Sequence, residues 1–185
     1  MPRVFASLGL LAGVALCATT AQAAGGKFTL TSPDIKSGSM IADKYVFNQG
    51  CTGSNVSPAL SWSGAPAGTK SFVLTVYDPD APTGSGFWHW VMFNIPPGTT
   101  RLDEGAGVPG KEPTGATQVE NDYGTVGYGG PCPPKGKPHH YVFTLYALNK
   151  DKLDLPAKVH AAYVGFNVHF TTLGKASFTA LYGQH

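Results

Sequence analysis

Apolar residues in this chain come in short runs separated by glycine- and proline-rich stretches, and most runs have the length and period of β-strands. Lys70–Asp78 reads Lys-Ser-Phe-Val-Leu-Thr-Val-Tyr-Asp, so Phe72, Leu74 and Val76 share one face of an extended chain and Val73, Thr75 and Tyr77 the other. Phe87–Ile95 is apolar on both faces, as a central strand is, and Tyr141–Leu148 is similar. Lys27–Thr31 and Lys44–Phe47 predict two shorter strands bounded by turn residues. From Ala157 to about Lys175 the period lengthens: Val159, Ala162, Tyr163, Phe166, Phe170 and Leu173 recur near helical spacing, behind Pro156 at a position where a first-turn proline is tolerated. Gly165 works against that helix by ~1 kcal/mol relative to alanine. The tail Ser177–Tyr182 fits either period and is assigned to a short strand. The sum is a mainly β chain, an antiparallel β-sandwich with a C-terminal helix.

The first residues stand apart from this pattern. Arg3, the apolar stretch Leu8–Cys17 and the small-x-small sequence Ala21-Gln22-Ala23 have the form of a secretory signal peptide over residues 1–23. The stretch is short for a membrane anchor, and Leu16 before Cys17 departs from a lipoprotein signal. The expected domain is therefore 24–185, in the periplasm or secreted. It carries no later run of 18 apolar residues. Losing Arg3 leaves 12 lysines and arginines against 11 acidic residues, with no basic cluster, which argues against nucleic-acid binding and against electrostatic recruitment to membranes. Two cysteines remain, Cys51 and Cys132. In an oxidising compartment they predict a disulfide, the alternative being two buried thiols.

Three stretches carry candidate chemistry. In Asp78-Pro79-Asp80-Ala81-Pro82 each proline holds the preceding residue extended, so Asp78 and Asp80, two apart at a strand end, can face one volume. A solvated Asp-Pro turn is the plainer alternative. His89, between Trp88 and Trp90, is expected to be partly buried, as a site residue or as a core histidine with one backbone partner. His139 and Tyr141 share a face at the start of a strand, and His140 should point away to solvent. Upstream of them lies Gly127-Tyr128-Gly129-Gly130-Pro131-Cys132-Pro133-Pro134, a loop with little side-chain bulk whose backbone N–H groups could form an anion-binding concavity, or which could be a rigid connector. Other patterns lack their context. Gly105-Ala106-Gly107-Val108-Pro109-Gly110 follows no strand and opens no helix, so it is no dinucleotide site. Asn55-Val56-Ser57 is a glycosylation sequon followed by Pro58.

Together, in this order and spacing, these pieces resemble the phosphatidylethanolamine-binding protein family, specifically its bacterial Raf-kinase-inhibitor-like (YbhB/YbcL) branch. The resemblance runs over essentially the whole 24–185 region, including Asn55-Val56-Ser57-Pro58 and Ala180-Leu181-Tyr182-Gly183. It implies a sandwich with a large Greek-key sheet, a smaller second sheet and C-terminal helix. It also implies a pocket for phosphate, acetate or a phospholipid head group, lined by Asp78, Asp80, His89, His139 and Tyr141, with Gly130 and Pro131 contributing backbone. Cys132 interrupts the Gly-Pro-Pro run of eukaryotic members, and His140 stands where a basic residue is usual. Kinase binding, a cytosolic role, is therefore not carried over.

The chemistry this suggests is a non-catalytic anion site in which Asp78 pairs with His89 and favours its protonated form, with His139 and loop N–H groups as further donors. No cofactor or metal is expected. Three alternatives remain: a weak hydrolase using His/Asp acid–base chemistry, for which no nucleophile with an adjacent base is evident; a divalent-metal site of the two histidines and two aspartates; and an inhibitor acting on a protease or kinase-type protein partner through surface loops. An exposed sheet edge leaves a homodimer open.

Overall fold

The computed structural model describes residue 1, residues 26–156 and residues 158–184. The export-signal assignment lies, Met1 apart, outside the described residues, as does Ala157. Eight strands and one α-helix follow in the order β1 (Thr29–Thr31), β2 (Leu60–Ser63), β3 (Ser71–Asp78), β4 (Phe87–Ile95), β5 (Arg101–Leu102), β6 (Thr117–Gln118), β7 (His139–Leu148), α1 (Ala161–Thr171) and β8 (Thr172–Tyr182). They form a three-stranded sheet β1-β2-β5 and a five-stranded sheet β6-β4-β3-β7-β8, antiparallel throughout. In the large sheet β3, β4 and β6 lie side by side and β7 returns to the other side of β3, which is a Greek-key order.

The alternation in β3 sorts its side chains as the sequence predicts. Phe72, Leu74 and Val76 enter the core between the two sheets, where they meet Leu30, Leu60 and Trp62 of the small sheet and Phe143, Leu145 and Phe178 of β7 and β8. Val73 enters a second core on the outer face, with Val91, Phe93 and Leu148, roofed by Val164 and Val168 of α1. A strand buried on both sides must be apolar on both sides, which is why β3, β4 and β7 are the clearest runs in the sequence.

Three expectations need correction. Lys44–Phe47 is not a strand: Asp43–Tyr45 forms a single 3-10 turn, closed by the Val46 N–H donating to Asp43 O, with Tyr45, Val46 and Phe47 all buried. The helix is shorter than 157–175, and β8 is longer than 177–182, since Thr172–Tyr182 pairs along the whole of β7. Finally, α1 buries Ala161, Val164, Val168 and Thr171 and leaves Tyr163, Phe166 and Phe170 exposed. Apolar residues fall on every side of the helix, so periodicity alone could not identify its inward face.

Candidate functional site

At one end of the large sheet, the last residue of β3 and the first residues of β4 and β7 come together: Asp78 pairs with Phe87, and Tyr77 with Val142. A cavity of about 170 Å³ opens there. Asp78, His89, His139 and Tyr141 line it, with walls from Phe87, Tyr123, Pro82 and the Cys132–Pro134 segment.

His89 reaches the cavity through an irregularity. The β3–β4 register shifts between Val76 and Tyr77, which pair with Trp90 and Trp88, so His89 is left as the extra residue of a β-bulge. Strict alternation would put both tryptophans on one face. Instead Trp90 is in the inter-sheet core and Trp88 packs against the helix-side core. His89 is 2% exposed, and its ring lies edge-on to Tyr141, with centroids 5.0 Å apart. Its Nδ1–H donates to the Gly129 carbonyl at 2.8 Å, while Nε2 is buried with no hydrogen-bond partner. Burial lowers the pKa of this histidine, only partly opposed by the Gly129 carbonyl and the Asp78 charge. This corrects the expected Asp78–His89 pair: His89 is the neutral imidazole, and Asp78 pairs elsewhere.

Asp78 is 2% exposed, and its two oxygens are both engaged. Oδ2 accepts from His139 Nδ1 at 2.8 Å and Oδ1 from the Asp80 backbone N–H at 2.8 Å. The second bond is the side-chain-to-backbone turn that Asp-Pro sequences favour, and it points the Asp80 side chain away. Asp80 does not line the cavity. Its carboxylate accepts from the His140 backbone N–H and from His140 Nδ1, on the exposed surface. That His140 bond, first among the causes, holds the Asp80 carboxyl below its ordinary value. The two aspartates thus address two different histidines.

Tyr141 is buried, and its Oη has no partner. Burial, with Asp78 nearby, pushes its pKa far above the ordinary value, so it remains an O–H donor.

Of the backbone N–H groups in the glycine/proline loop, those of the glycines and Tyr128 are engaged within the protein, while that of Cys132, a lining residue, has no hydrogen-bond partner among the described residues. Gly130 N–H donates to Asn55 Oδ1 and Gly129 N–H to His89 O, while the Gly130 and Pro131 carbonyls accept from Tyr123 Oη and from Phe47 N–H. Gly130 and Pro131 therefore stand behind the cavity wall, not in its lining. A Cβ on Gly130 would come within 2.2 Å of Tyr45 O, so the close packing there requires glycine. Asn55, the residue of the sequon, is tied into this bracing. Cys51 and Cys132 form the disulfide, closing 81 residues, with Cys132 at the cavity wall.

Sequence reasoning missed Tyr123, Phe87 and the Pro133–Pro134 wall. Tyr123 could not be placed without the long loop's path, but Phe87 was in reach, two residues before His89 in the same strand. Among the described residues no cluster of three or more histidine, cysteine or acidic side chains is placed to hold a metal ion, and no helix is long and apolar enough to cross a membrane.

Comparison with known proteins follows the same lines. The family model described as phosphatidylethanolamine-binding protein matches residues 31–183. The YbcL protein of Escherichia coli K12 is 46% identical over 177 residues, covering 94% of this chain and 97% of that protein. The YbhB protein of the same organism is 48% identical over 155 residues, covering 83% and 98%. The crystal structure of E. coli YbcL, described as a new member of the mammalian PEBP family, aligns over 86% of this chain and 100% of that chain with a TM-score of 0.84.

Proposed function

Because the chain belongs to the phosphatidylethanolamine-binding protein family, we propose that it is a non-catalytic binding protein of the bacterial envelope whose sheet-end cavity takes a small oxyanion, phosphate or the phosphoryl part of a larger ligand. The observation that carries this is the pair of unpartnered buried polar atoms, His89 Nε2 and Tyr141 Oη, on two side chains that line one cavity. A buried polar group without a hydrogen bond costs roughly 1–3 kcal/mol, so two in one small cavity favour an occupant that supplies both partners. His139, oriented by Asp78, adds a third polar group at the mouth. The envelope location rests on the export-signal form of residues 1–23, and mass determination of the N-terminus of protein recovered from periplasm or medium tests it.

Tyr141→Phe is the informative variant for the site. It removes an oxygen that no other group of the protein bonds, so the free protein should be as stable as before or up to about 1 kcal/mol more so. Phosphate affinity, measured by calorimetry, should fall about tenfold. Unchanged affinity would place the anion elsewhere. The Asp78–His139 pair also has the form of an oriented acid–base group. Turnover of phosphomonoesters that disappears in His139→Ala would make hydrolysis the better reading.

A further inference from the structure

The hydrogen-bonding character of the cavity separates classes of oxyanion. The carbonyl of Gly129 can only accept, so the proton of a neutral His89 is on Nδ1 and Nε2 presents a lone pair. No lysine or arginine lines the cavity, and Pro82, Pro133 and Pro134 have no N–H to offer. Tyr123 Oη spends its hydrogen on Gly130 O. Asp78 puts a buried negative charge beside the ligand space, with both oxygens already used as acceptors. The cavity thus holds, in His89 Nε2, a buried acceptor that needs a proton.

Resting on the reading that this cavity holds a phosphoryl group, we propose that it selects oxyacids that still carry a proton, inorganic phosphate and phosphomonoesters, over phosphodiesters and sulfate, with His89 Nε2 accepting the P–O–H hydrogen and Tyr141 Oη–H donating to a second oxygen. Sulfate and a phosphodiester have no proton to give near neutral pH. Each would set an oxygen lone pair against the Nε2 lone pair, or require a second proton on a ring whose burial disfavours it. Against sulfate, charge acts in the same direction, because Asp78 repels a dianion more than a singly charged ligand; a phosphodiester and a singly protonated monoester carry the same charge, so between them only the proton discriminates. His139 is the other imidazole lining the cavity, and the His89→Gln variant separates its part from that of His89. A membrane phospholipid joined through a phosphodiester is on this account a poor ligand, and a free phosphomonoester a good one.

The test is calorimetry on the folded protein at about pH 6, where a phosphomonoester is about half singly protonated. The four probes are inorganic phosphate, methyl phosphate, dimethyl phosphate and sulfate. Phosphate and methyl phosphate should bind at least about 30-fold more tightly than sulfate and dimethyl phosphate, a ratio set by leaving one buried polar atom unpaired. Sulfate or dimethyl phosphate within about threefold of phosphate would overturn the selection while leaving the anion site intact. Binding of none of the four would instead remove the anion reading on which it rests. In His89→Gln the carboxamide can turn either its N–H or its oxygen to the ligand, so the discrimination should shrink below about threefold. Undiminished discrimination in that variant would show that another group is the selector. If the variant does not fold, the four-ligand series on the unaltered protein decides.

Discussion

Burial sets the protonation of His89, and that makes the residue a sensor of pH in the free protein. Its folded pKa lies below the unfolded value of about 6.5, so below that pH the unfolded chain binds more protons than the folded one. Stability contributed by the neutral ring is therefore complete above about pH 6.5 and is lost as pH falls toward the folded pKa, at a slope of no more than about 1.4 kcal/mol per pH unit. Asp80, depressed by His140, acts with the same sign but in a lower window, below the ordinary carboxylate value of 3.8. The free protein should thus melt at a lower temperature at pH 5.5 than at 7.5, and phosphate should recover more of the loss at the lower pH. Thermal scans with and without phosphate check this. A midpoint that does not change between these two pH values would mean that His89 is solvated in the folded state.

At the scale of elements, two aromatic residues of similar standing in the sequence have opposite standing in the fold. Phe178 on β8 faces the core and stacks on its cross-strand partner Phe143 at 4.7 Å. Phe170 on α1 is 67% exposed. Phe178→Ala should cost about 3–5 kcal/mol through the cavity it leaves, and Phe170→Ala no more than about 0.5 kcal/mol. Gly165 belongs to the same comparison. An added Cβ there meets nothing within 4 Å, so Gly165→Ala should stabilise the helix by about 1 kcal/mol. Urea unfolding of the three variants gives all three numbers. A large loss from Phe170→Ala would show that α1 packs on its other side.

Over the whole molecule, legibility followed burial on two faces. β3, β4 and β7 announce themselves because both cores demand apolar residues from them, and the motifs at their ends inherit that certainty of position. What local sequence could not convey were departures from period. The bulge that turns His89 inward, the bond from Asp80 N–H that turns Asp80 outward, and the inward face of α1, which has apolar residues on every side, are settled by tertiary contacts. The long loop between β6 and β7 was legible as glycine- and proline-rich, but which of its groups are used internally was not: Gly129, Gly130 and Pro131 bond to His89, Asn55, Tyr123 and Phe47, and the Cys132 N–H bonds to none of the described residues.

That loop ties site to scaffold through the disulfide. Cys132 is part of the cavity wall, and Pro133 beside it is held by Gln184 Nε2–H donating to its carbonyl at 2.6 Å. Cys51 anchors the wall from the far end of the 81-residue span. Closing a loop of that length stabilises the fold by ~4.5 kcal/mol at most in the chain-entropy account. The double variant Cys51→Ala/Cys132→Ala should therefore melt well below the parent. The surviving bonds from Gln184, Asn55 and Phe47 keep the wall in place without fixing it as firmly, so ordering it on binding becomes a cost. Phosphate affinity, measured well below the melting temperature, should fall by about fivefold, roughly 1 kcal/mol. A lowered melting temperature with unaltered affinity would show that the hydrogen bonds alone position the wall and that the disulfide serves only the fold.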